Sequence, residues 1–243
     1  MNEEVESIPL FERSLSNITS NDLKGLYELE EGWFVEFKSL PPENIKIAKS
    51  ISSFANAYGG ILIFGVIEDQ KTRRAKSFDG FSKNKAEAIT LSISQSVQAH
   101  ITPSPYFEIK IIKIPETDDK NLVWVKVPKG NAGPYLHSSG VIYSRTGDSS
   151  TPIHLNDLGL LERMWRDSES HKQKIKKRIE LLSGVLTQHM PRIEIFICED
   201  ENNPNDYHEV SFIEFKKLAL GGYGNGTVSI FNSAYPLDSS FIA

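Results

Sequence analysis

Residues 28–69 read ELEEGWFVEFKSLPPENIKIAKSISSFANAYGGILIFGVIED and predict a strand–helix–strand unit. Apolar residues on both sides of Glu36 favour a strand over residues 33–38. Because side chains alternate across a strand, Glu36 and Lys38 would share one face and Trp33 would lie on the other. The two prolines that follow end this strand.

A helix and a second strand follow the prolines. Apolar residues recur at helical spacing from Ile47 to Tyr58, and the pair Gly59–Gly60 is typical of the end of a helix. The nearly unbroken apolar run 61–67 is typical of a strand that is covered on both faces. This run ends in the acidic pair 68–69, so neighbouring strands would bring the acids of both together.

Acidic residues of this unit are the candidate metal ligands: Glu31, Glu36, Glu68 and Asp69. Carboxylates that converge in a partly dry site repel one another, unless a divalent cation neutralises them or one of them stays protonated. One interpretation is therefore a Mg²⁺ or Mn²⁺ site. The other is that soluble acids occupy exposed strand ends, and spacing alone favours this second interpretation.

Short motifs follow one another in a fixed order along the chain. The pattern E-x4-E-F-K begins at Glu31, S-F-A-N-x-x-G-G-x-L-x-F-G-V begins at Ser53, and Pro134-Tyr135 and Y-x-R-x-G close the series. In this order they resemble the Schlafen core, or AlbA-like, domain over about residues 20–155. They also resemble bacterial proteins of a DNA-binding or divergent ATP-binding type.

The resemblance implies a chemistry for the acids. Members of that family include metal-dependent endonucleases of transfer and ribosomal RNA that use three acids, and Glu31 and Glu36 match two of them. The third is usually an aspartate just after the second strand, where this sequence has Glu68 and then Asp69. This departure leaves the third acid open, and it also allows that activity has been lost.

The implied reaction is hydrolysis of a phosphodiester, in which one or two Mg²⁺ or Mn²⁺ ions activate water and stabilise the leaving oxygen. Lys38 is a candidate catalytic residue, because its charge could steady the scissile phosphate. A plain salt bridge from Lys38 to Glu36 is the alternative.

Cationic and aromatic side chains are candidates for nucleic-acid contacts. A charged turn after the second strand carries Lys71, Arg73 and Arg74, which could contact phosphates or form a solvated hairpin tip. The planar fork of Arg145 suits a phosphate or a carboxylate equally. Tyr135 and Tyr143 could stack on bases, although packing is the commoner fate of aromatic residues beside strands.

The charge distribution is uneven. The chain has 243 residues and a formal net charge of −5, which argues against a broad nucleic-acid coat. Residues 45–85 nevertheless hold eight Lys or Arg against three acids, and residues 163–178 hold seven against two. Local phosphate binding is therefore compatible with the acidic total.

Other classes find little support in the sequence. A secretory signal is absent from the acidic N-terminus, and no apolar run approaches the ~20 residues that cross a bilayer. The single cysteine, Cys198, fits a reducing compartment, so we expect a soluble, cytoplasmic protein without membrane contact. No G-x4-G-K-[ST] loop occurs, and the scattered histidines lack zinc-ligand spacing.

The predicted fold class is α/β (α+β), with a mixed sheet flanked by helices. The domain would include a helix over 84–99 and two antiparallel strands over 107–111 and 123–127. A long helix over 157–189 would pack on the domain or on a partner, such as a second copy of the chain. The expected organisation comprises an extended arm (1–19), the α/β domain (20–155), the long helix (156–190) and a small β-containing unit (191–243) that contains a strand at 193–197 or opens a longer parent region.

We therefore expect a protein that handles RNA, such as a transfer RNA, or DNA. Metal-dependent cleavage is placed ahead of binding without catalysis, and ATP binding comes third.

Overall fold

The structure is a computed structural model that describes residues 10, 12–146, 151–185, 235–237 and 240–242. It divides the chain into two compact units, Met1–His171 and Lys172–Ala243. The helices are α1 (Asn44–Ala55), α2 (Lys83–His100) and α3 (Leu158–Val185), and short 3₁₀ helices span Leu15–Asn17 and Ser20–Glu28. The strands are β1 (Val35–Lys38), β2 (Gly59–Phe64), β3 (Val66–Glu68), β4 (Ala75–Phe78), β5 (Ile101–Thr102), β6 (Glu108–Lys113), β7 (Asn121–Pro128), β8 (Leu136–His137), β9 (Tyr143–Ser144), β10 (Ile153–His154), β11 (Tyr235–Leu237) and β12 (Ser240–Ile242).

A four-stranded mixed sheet in the order β1-β2-β7-β6 forms the centre of the first unit. The strands β1 and β2 are parallel and pair Glu36 with Leu62, whereas β7 runs antiparallel to both β2 and β6. This mixed sheet with its helices confirms the predicted α+β class. The parallel pair also confirms that the two strands around α1 are neighbours.

One face of the sheet is covered by α1 and α2. Their apolar stripes pack on alternate residues of β2 and β7, among them Leu62, Phe64 and Val125. The predicted stripe of α2, from Ala86 to Val97, is buried as expected. Its capping position is Ser82, two residues before the predicted cap at Asn84.

The opposite face is covered by the N-terminal segment, which packs with β2 and β7 residues such as Ile63 and Trp124. Leu10, Leu15 and Ile18 are buried there. The prediction of an extended arm over residues 1–19 therefore differs from the structure over its described part. Among the described residues this face of the sheet is covered by no α-helix, and these apolar side chains cover it instead.

Two lysines of the sheet bind the backbone of this segment. Lys110 donates hydrogen bonds to the carbonyl oxygens of Leu15 (3.1 Å), Ser16 (2.7 Å) and Ile18 (2.7 Å). The ammonium group of Lys126 bonds the carbonyls of residues 12 and 13, and burial lowers its pKa. These bonds give partners to backbone carbonyls of the N-terminal segment, which is not a strand of the sheet.

Two boundaries in the motif region differ from the prediction. The helix α1 ends at Ala55 rather than near Tyr58, and Gly59 and Gly60 begin β2 instead of ending the helix. The apolar run 61–67 is not one strand, because Gly65 at φ +94° separates β2 from β3. That backbone conformation favours glycine and turns β3 away into a hairpin with β4.

The long helix is present as α3, and Asp157 caps its first turn through the amide of Leu160 (3.1 Å). Association through this helix stays a prediction. The strand predicted at 193–197 lies outside the described residues. The second unit's described strands, β11 and β12, form an antiparallel hairpin. No helix in the described residues combines the length and apolar character that a bilayer crossing requires.

Candidate nucleic-acid interface and acidic cluster

A buried ion pair joins β1 to the chain near β9. Glu36 Oε2 accepts a hydrogen bond from Arg145 Nη2, and the two side chains are 4% and 0% exposed. Burial lowers the pKa of the Arg145 guanidinium, and the charge of Glu36 opposes that shift. Removing either charge from such a site would leave the other buried without its partner, which is costly.

The S-F-A-N motif of α1 builds the pocket for this arginine. Arg145 Nε donates to Ser53 Oγ at 3.1 Å, and the guanidinium carbon lies 3.7 Å from the centroid of the Phe54 ring. A side chain on Gly60 would place its Cβ 2.3 Å from the Phe54 ring, so the second glycine of the G-G pair is required by close approach. The motif therefore positions Arg145.

Asn56, the last residue of this motif, ties two distant loops to α1. Its amide donates to the carbonyls of Tyr135 (2.8 Å) and Tyr143 (2.9 Å), and its Oδ1 accepts from the Tyr135 amide (2.8 Å). In the sequence, this residue stands out only as part of the motif that carries the family resemblance. The sequence signal for this role is a short polar residue placed directly after the apolar residues of a predicted helix.

The remaining oxygen of Glu36 is also occupied. Lys38 Nζ lies 2.9 Å from Glu36 Oε1, and Ser50 Oγ donates to the same atom at 3.0 Å. Glu36 and Lys38 therefore point together, as the strand alternation predicted. Of the two interpretations of Lys38, the salt bridge to Glu36 is the contact found.

Glu31 lies beside this pair at the outer edge of β1. Its carboxylate accepts a hydrogen bond from the backbone amide of Phe37. Burial raises the pKa of Glu31; the Phe37 bond and Lys38 oppose that shift, and the nearby charges of Glu68 and Glu36 add to it. The structure thus brings Glu31, Glu36 and Glu68 into one electrostatic neighbourhood.

Asp69 has a different environment. Its Oδ1 accepts hydrogen bonds from the backbone amides of Lys71 and Thr72, both at 2.9 Å, and these bonds lower the pKa of Asp69. Its own amide and carbonyl bond the backbone of Arg74 and Arg73. Asp69 therefore shapes the hairpin turn between β3 and β4.

The β3–β4 hairpin carries the predicted cations close to the acids. The carbonyl of Arg73 accepts a hydrogen bond from the Glu31 amide at 2.7 Å, and Arg74 lies 3.7 Å from the carboxylate of Glu28 at the surface. Lys71 is exposed at the tip, and Lys76 is exposed on β4.

Two of the four predicted metal ligands, Glu36 and Asp69, are bound by other groups in this arrangement. Both oxygens of Glu36 are bound to cationic or hydroxyl groups, and Asp69 is directed to the hairpin backbone. Within the part of the chain that the structure describes, no group of three or more His, Cys, Asp or Glu is arranged to hold a metal ion.

The other residues that were candidates for contacts with nucleic acid are buried. The fork of Arg145 binds Glu36, Ser53 and the Gly32 carbonyl, so the carboxylate alternative is the one found. Tyr135 is 3% exposed within the core, and Tyr143 packs its ring against His137 and His154. Packing, rather than an exposed stacking surface, is the environment of both tyrosines.

Two other aromatic residues are exposed instead. Trp33 precedes β1 and is 38% exposed, and Tyr58 lies between α1 and β2 and is 65% exposed. Their ring centroids are 5.6 Å apart. The predictions that placed Tyr58 on the core stripe of the helix and Trp33 on a strand face are wrong, because α1 ends before Tyr58 and β1 begins after Trp33.

The family profile described as Schlafen, AlbA_2 matches residues 31–154, which is 124 of the 243 residues. The chain belongs to the Schlafen AlbA_2 family. The predicted resemblance is confirmed, and the matched range runs from Glu31 through Arg145 to the end of β10. Membership of the Schlafen AlbA_2 family indicates a nucleic-acid-related function.

Solved structures include similar chains at low identity. One is the N-terminal domain of a protein from Nitrosomonas europaea related to the ATP-dependent DNA helicase RecG, at 19% identity and a TM-score of 0.43 over 58% of this chain and 97% of that one. Another is the DIP2311 protein from Corynebacterium diphtheriae, at 19% identity and a TM-score of 0.34 over 55% and 26%. A search of curated proteins found no match. At these values neither neighbour carries an argument about function.

Proposed function

We propose that this domain binds nucleic acid without cutting it, and that exposed cations of the β3–β4 hairpin contact the phosphates. The observation that carries the proposal is that both oxygens of the Glu36 carboxylate are bound, by Arg145, Lys38 and Ser50. This acid is part of the fold. We therefore assign nucleic-acid binding to exposed side chains, and above all to the cations of the β3–β4 hairpin.

The ion pair with Arg145 explains why we assign Glu36 a role in stabilising the fold. A cation that displaced Arg145 from Glu36 would leave a guanidinium buried beside Phe54 without its counter-charge. Uncompensated buried charges cost several kcal/mol, of the order of 3–5 where one partner of a buried pair is removed. Glu36 is therefore expected to keep Arg145 as its partner rather than to exchange it for a metal ion.

The hairpin has the features of a phosphate-contacting element. Asp69 fixes the turn through two backbone amides, so the tip presents its cations from a defined backbone. The contact of Arg74 with Glu28 is long and exposed, and such pairs contribute about 0–1 kcal/mol. A phosphate could replace that partner at little cost, and phosphate contacts supply much of the affinity for nucleic acid.

Binding can be tested with a charge-matched pair of variants. Lys71→Ala/Arg74→Ala removes two exposed cations from the hairpin, whereas Lys113→Ala/Lys120→Ala removes two from the exposed β6–β7 end. Arg73 is left in place because its backbone is left-handed (φ +56°). We expect fluorescence anisotropy with labelled transfer RNA and duplex DNA to show weaker binding in the hairpin variant alone. Equal binding by both variants would contradict the proposal.

Metal-dependent cleavage of RNA is the second candidate. One observation favours it: the pKa of Glu31 is raised first by burial and then by the charges of Glu68 and Glu36. Acids that raise one another's pKa are typical of functional sites, although structural networks do the same. Mg²⁺ or Mn²⁺ at these acids is therefore a proposal that needs its own test.

Glu68→Gln is the informative variant for that test. Glu36→Ala would leave Arg145 unpaired, so its loss of activity would not separate catalysis from unfolding. Parent and Glu68→Gln proteins would be incubated with transfer RNA and Mn²⁺, with Glu43→Gln as a surface control. Our main proposal expects intact RNA in all three reactions. Cleavage by the parent and the control, but not by Glu68→Gln, would establish the second candidate instead.

A further inference from the structure

Trp33 and Tyr58 form an exposed aromatic pair. Their ring centroids are 5.6 Å apart, their planes are inclined by 37°, and Tyr58 is 65% exposed. Large aromatic side chains usually bury their rings, since each ring hides 150–250 Å² of surface when it is buried. This pair of rings is thus an apolar surface that remains partly exposed to solvent within the described residues.

The pair lies between two cationic parts of the surface. On one side, Trp33 is two residues from Glu31, whose amide bonds the Arg73 carbonyl in the hairpin. Two residues span at most about 7 Å. On the other side, Tyr58 precedes Gly59, where a Cβ atom would lie 2.8 Å from the backbone nitrogen of Lys129.

The side chain of Lys129 is exposed. The hairpin backbone at Arg73, the ring pair and the backbone of Lys129 are therefore close to one another in the fold. Phosphates alternate with bases along a nucleic-acid strand, and this arrangement complements that alternation.

We propose that this aromatic pair is a stacking platform for the bases of single-stranded nucleic acid, whose phosphates contact the hairpin and Lys129. The inference rests on the proposed binding function and specifies its ligand. Every base has a π face that can stack on an aromatic ring, but a duplex hides these faces inside its own stack. Flanking cations favour a polyanion over an apolar protein partner.

The test uses control variants of the same residue types at other exposed positions. Trp33→Ala and Tyr58→Ala remove the platform, while Trp165→Ala (58% exposed) and Tyr106→Ala (63% exposed) remove comparable side chains elsewhere. Affinity would be measured by anisotropy with a labelled oligothymidine of roughly 12 nucleotides, a length that a typical single-strand site accommodates. The same measurement would be made on a duplex of equal length and on an abasic strand.

We expect each platform variant to lose about tenfold in affinity for the oligothymidine, the size of a typical stacking contribution. Trp33→Phe and Tyr58→Phe should retain most of the affinity, because a ring remains. The controls should change affinity by less than about twofold. Binding to the abasic strand should be insensitive to all of these variants, and the salt dependence should keep its slope, since no phosphate contact is removed.

Two outcomes separate this inference from the proposed function. If the platform variants bind the oligothymidine as the parent does, while Lys71→Ala/Arg74→Ala weakens binding, the platform is overturned and phosphate binding by the hairpin stands. If the platform variants weaken duplex, abasic and single strands equally, the rings do not act by stacking and the inference also fails. Absence of binding to every probe would overturn both.

Discussion

Among single side chains, the buried pair of Glu36 and Arg145 links the sequence motifs to the fold. The E-F-K segment supplies the carboxylate, the Y-x-R segment supplies the guanidinium, and the S-F-A-N segment supplies the hydroxyl and the ring that surround it. Glu36 and Arg145, from the first and last of these motifs, lie 109 positions apart in the chain, yet all three motifs meet in one place. Their co-occurrence therefore reflects one buried network.

Removing the acid of this network should destabilise the fold. We expect Glu36→Ala to lower the free energy of unfolding by about 3–5 kcal/mol, because Arg145 would remain buried and unpaired. Glu43→Ala is the control: Glu43 also pairs with a lysine, at 3.2 Å, but it is 73% exposed, and a change within about 0.5 kcal/mol is expected. Urea denaturation measures both, and similar values for the two variants would argue against a structural role for Glu36.

Glu31 should make stability depend on pH in a defined direction. Its folded pKa is raised above the ordinary value of 4.5, so the folded state holds a proton that the unfolded state releases more readily. The stability that this carboxyl contributes is present below pH 4.5 and is lost as the pH rises through the folded pKa. Glu31→Gln keeps an oxygen for the Phe37 amide and does not ionise.

We therefore expect Glu31→Gln to gain stability relative to the parent as the pH rises from 4 to 7, because the carboxyl of the parent ionises at a lower pH in the unfolded state than in the folded state. Denaturant unfolding of both proteins at the two pH values is the measurement. A difference between parent and variant that does not change with pH would contradict the burial of an ionisable Glu31.

Among the secondary-structure elements, the β3–β4 hairpin is where a predicted acid has another role. Asp69 binds the turn amides of Lys71 and Thr72 through Oδ1. Asp69→Asn retains this acceptor, whereas Asp69→Ala removes it. We expect faster amide hydrogen exchange at the two turn residues and severalfold weaker nucleic-acid binding in the alanine variant alone. Equal losses in both variants would show that the charge of Asp69, and not its cap, is what matters.

The elements also show what a local sequence pattern can and cannot predict. The period-two pattern around Glu36 placed Glu36 and Lys38 correctly, because alternation is a property of the strand itself. The pattern could not predict the ends of α1 or the break at Gly65, where backbone geometry and neighbouring chain decide. The pattern places Tyr58 in the core for that reason, whereas the structure shows it 65% exposed.

At the scale of the whole molecule, the sequence predicts what covers one face of the central sheet but not what covers the other. Two amphipathic helices and two alternating strands predict a mixed sheet with helices on it. The cover on the other face comes from the N-terminal segment, whose apolar residues Leu10, Leu15 and Ile18 show no helical or strand period. Periodicity cannot identify such a segment, since its burial is decided by the space that the sheet leaves open.

The acidic cluster was predicted in part for a similar reason. Strand adjacency brought Glu31, Glu36 and Glu68 together, but the partner of each acid depends on residues far along the chain. Arg145 reaches Glu36 from 109 positions away, and only the fold makes that contact. A family motif predicts which residues meet, whereas the structure shows that two of them neutralise each other.

The salt dependence of binding tests the central claim most directly, because it counts phosphate contacts. For parent, Lys71→Ala/Arg74→Ala and Lys113→Ala/Lys120→Ala proteins, the logarithm of the association constant would be measured against the logarithm of salt concentration. Each lost phosphate contact lowers the slope by about 0.7 for single strands and 0.9 for duplex DNA, so the hairpin variant should lose about 1.4–1.8 in slope. The control should keep the parent's slope. A hairpin variant with the parent's slope and affinity would contradict the account.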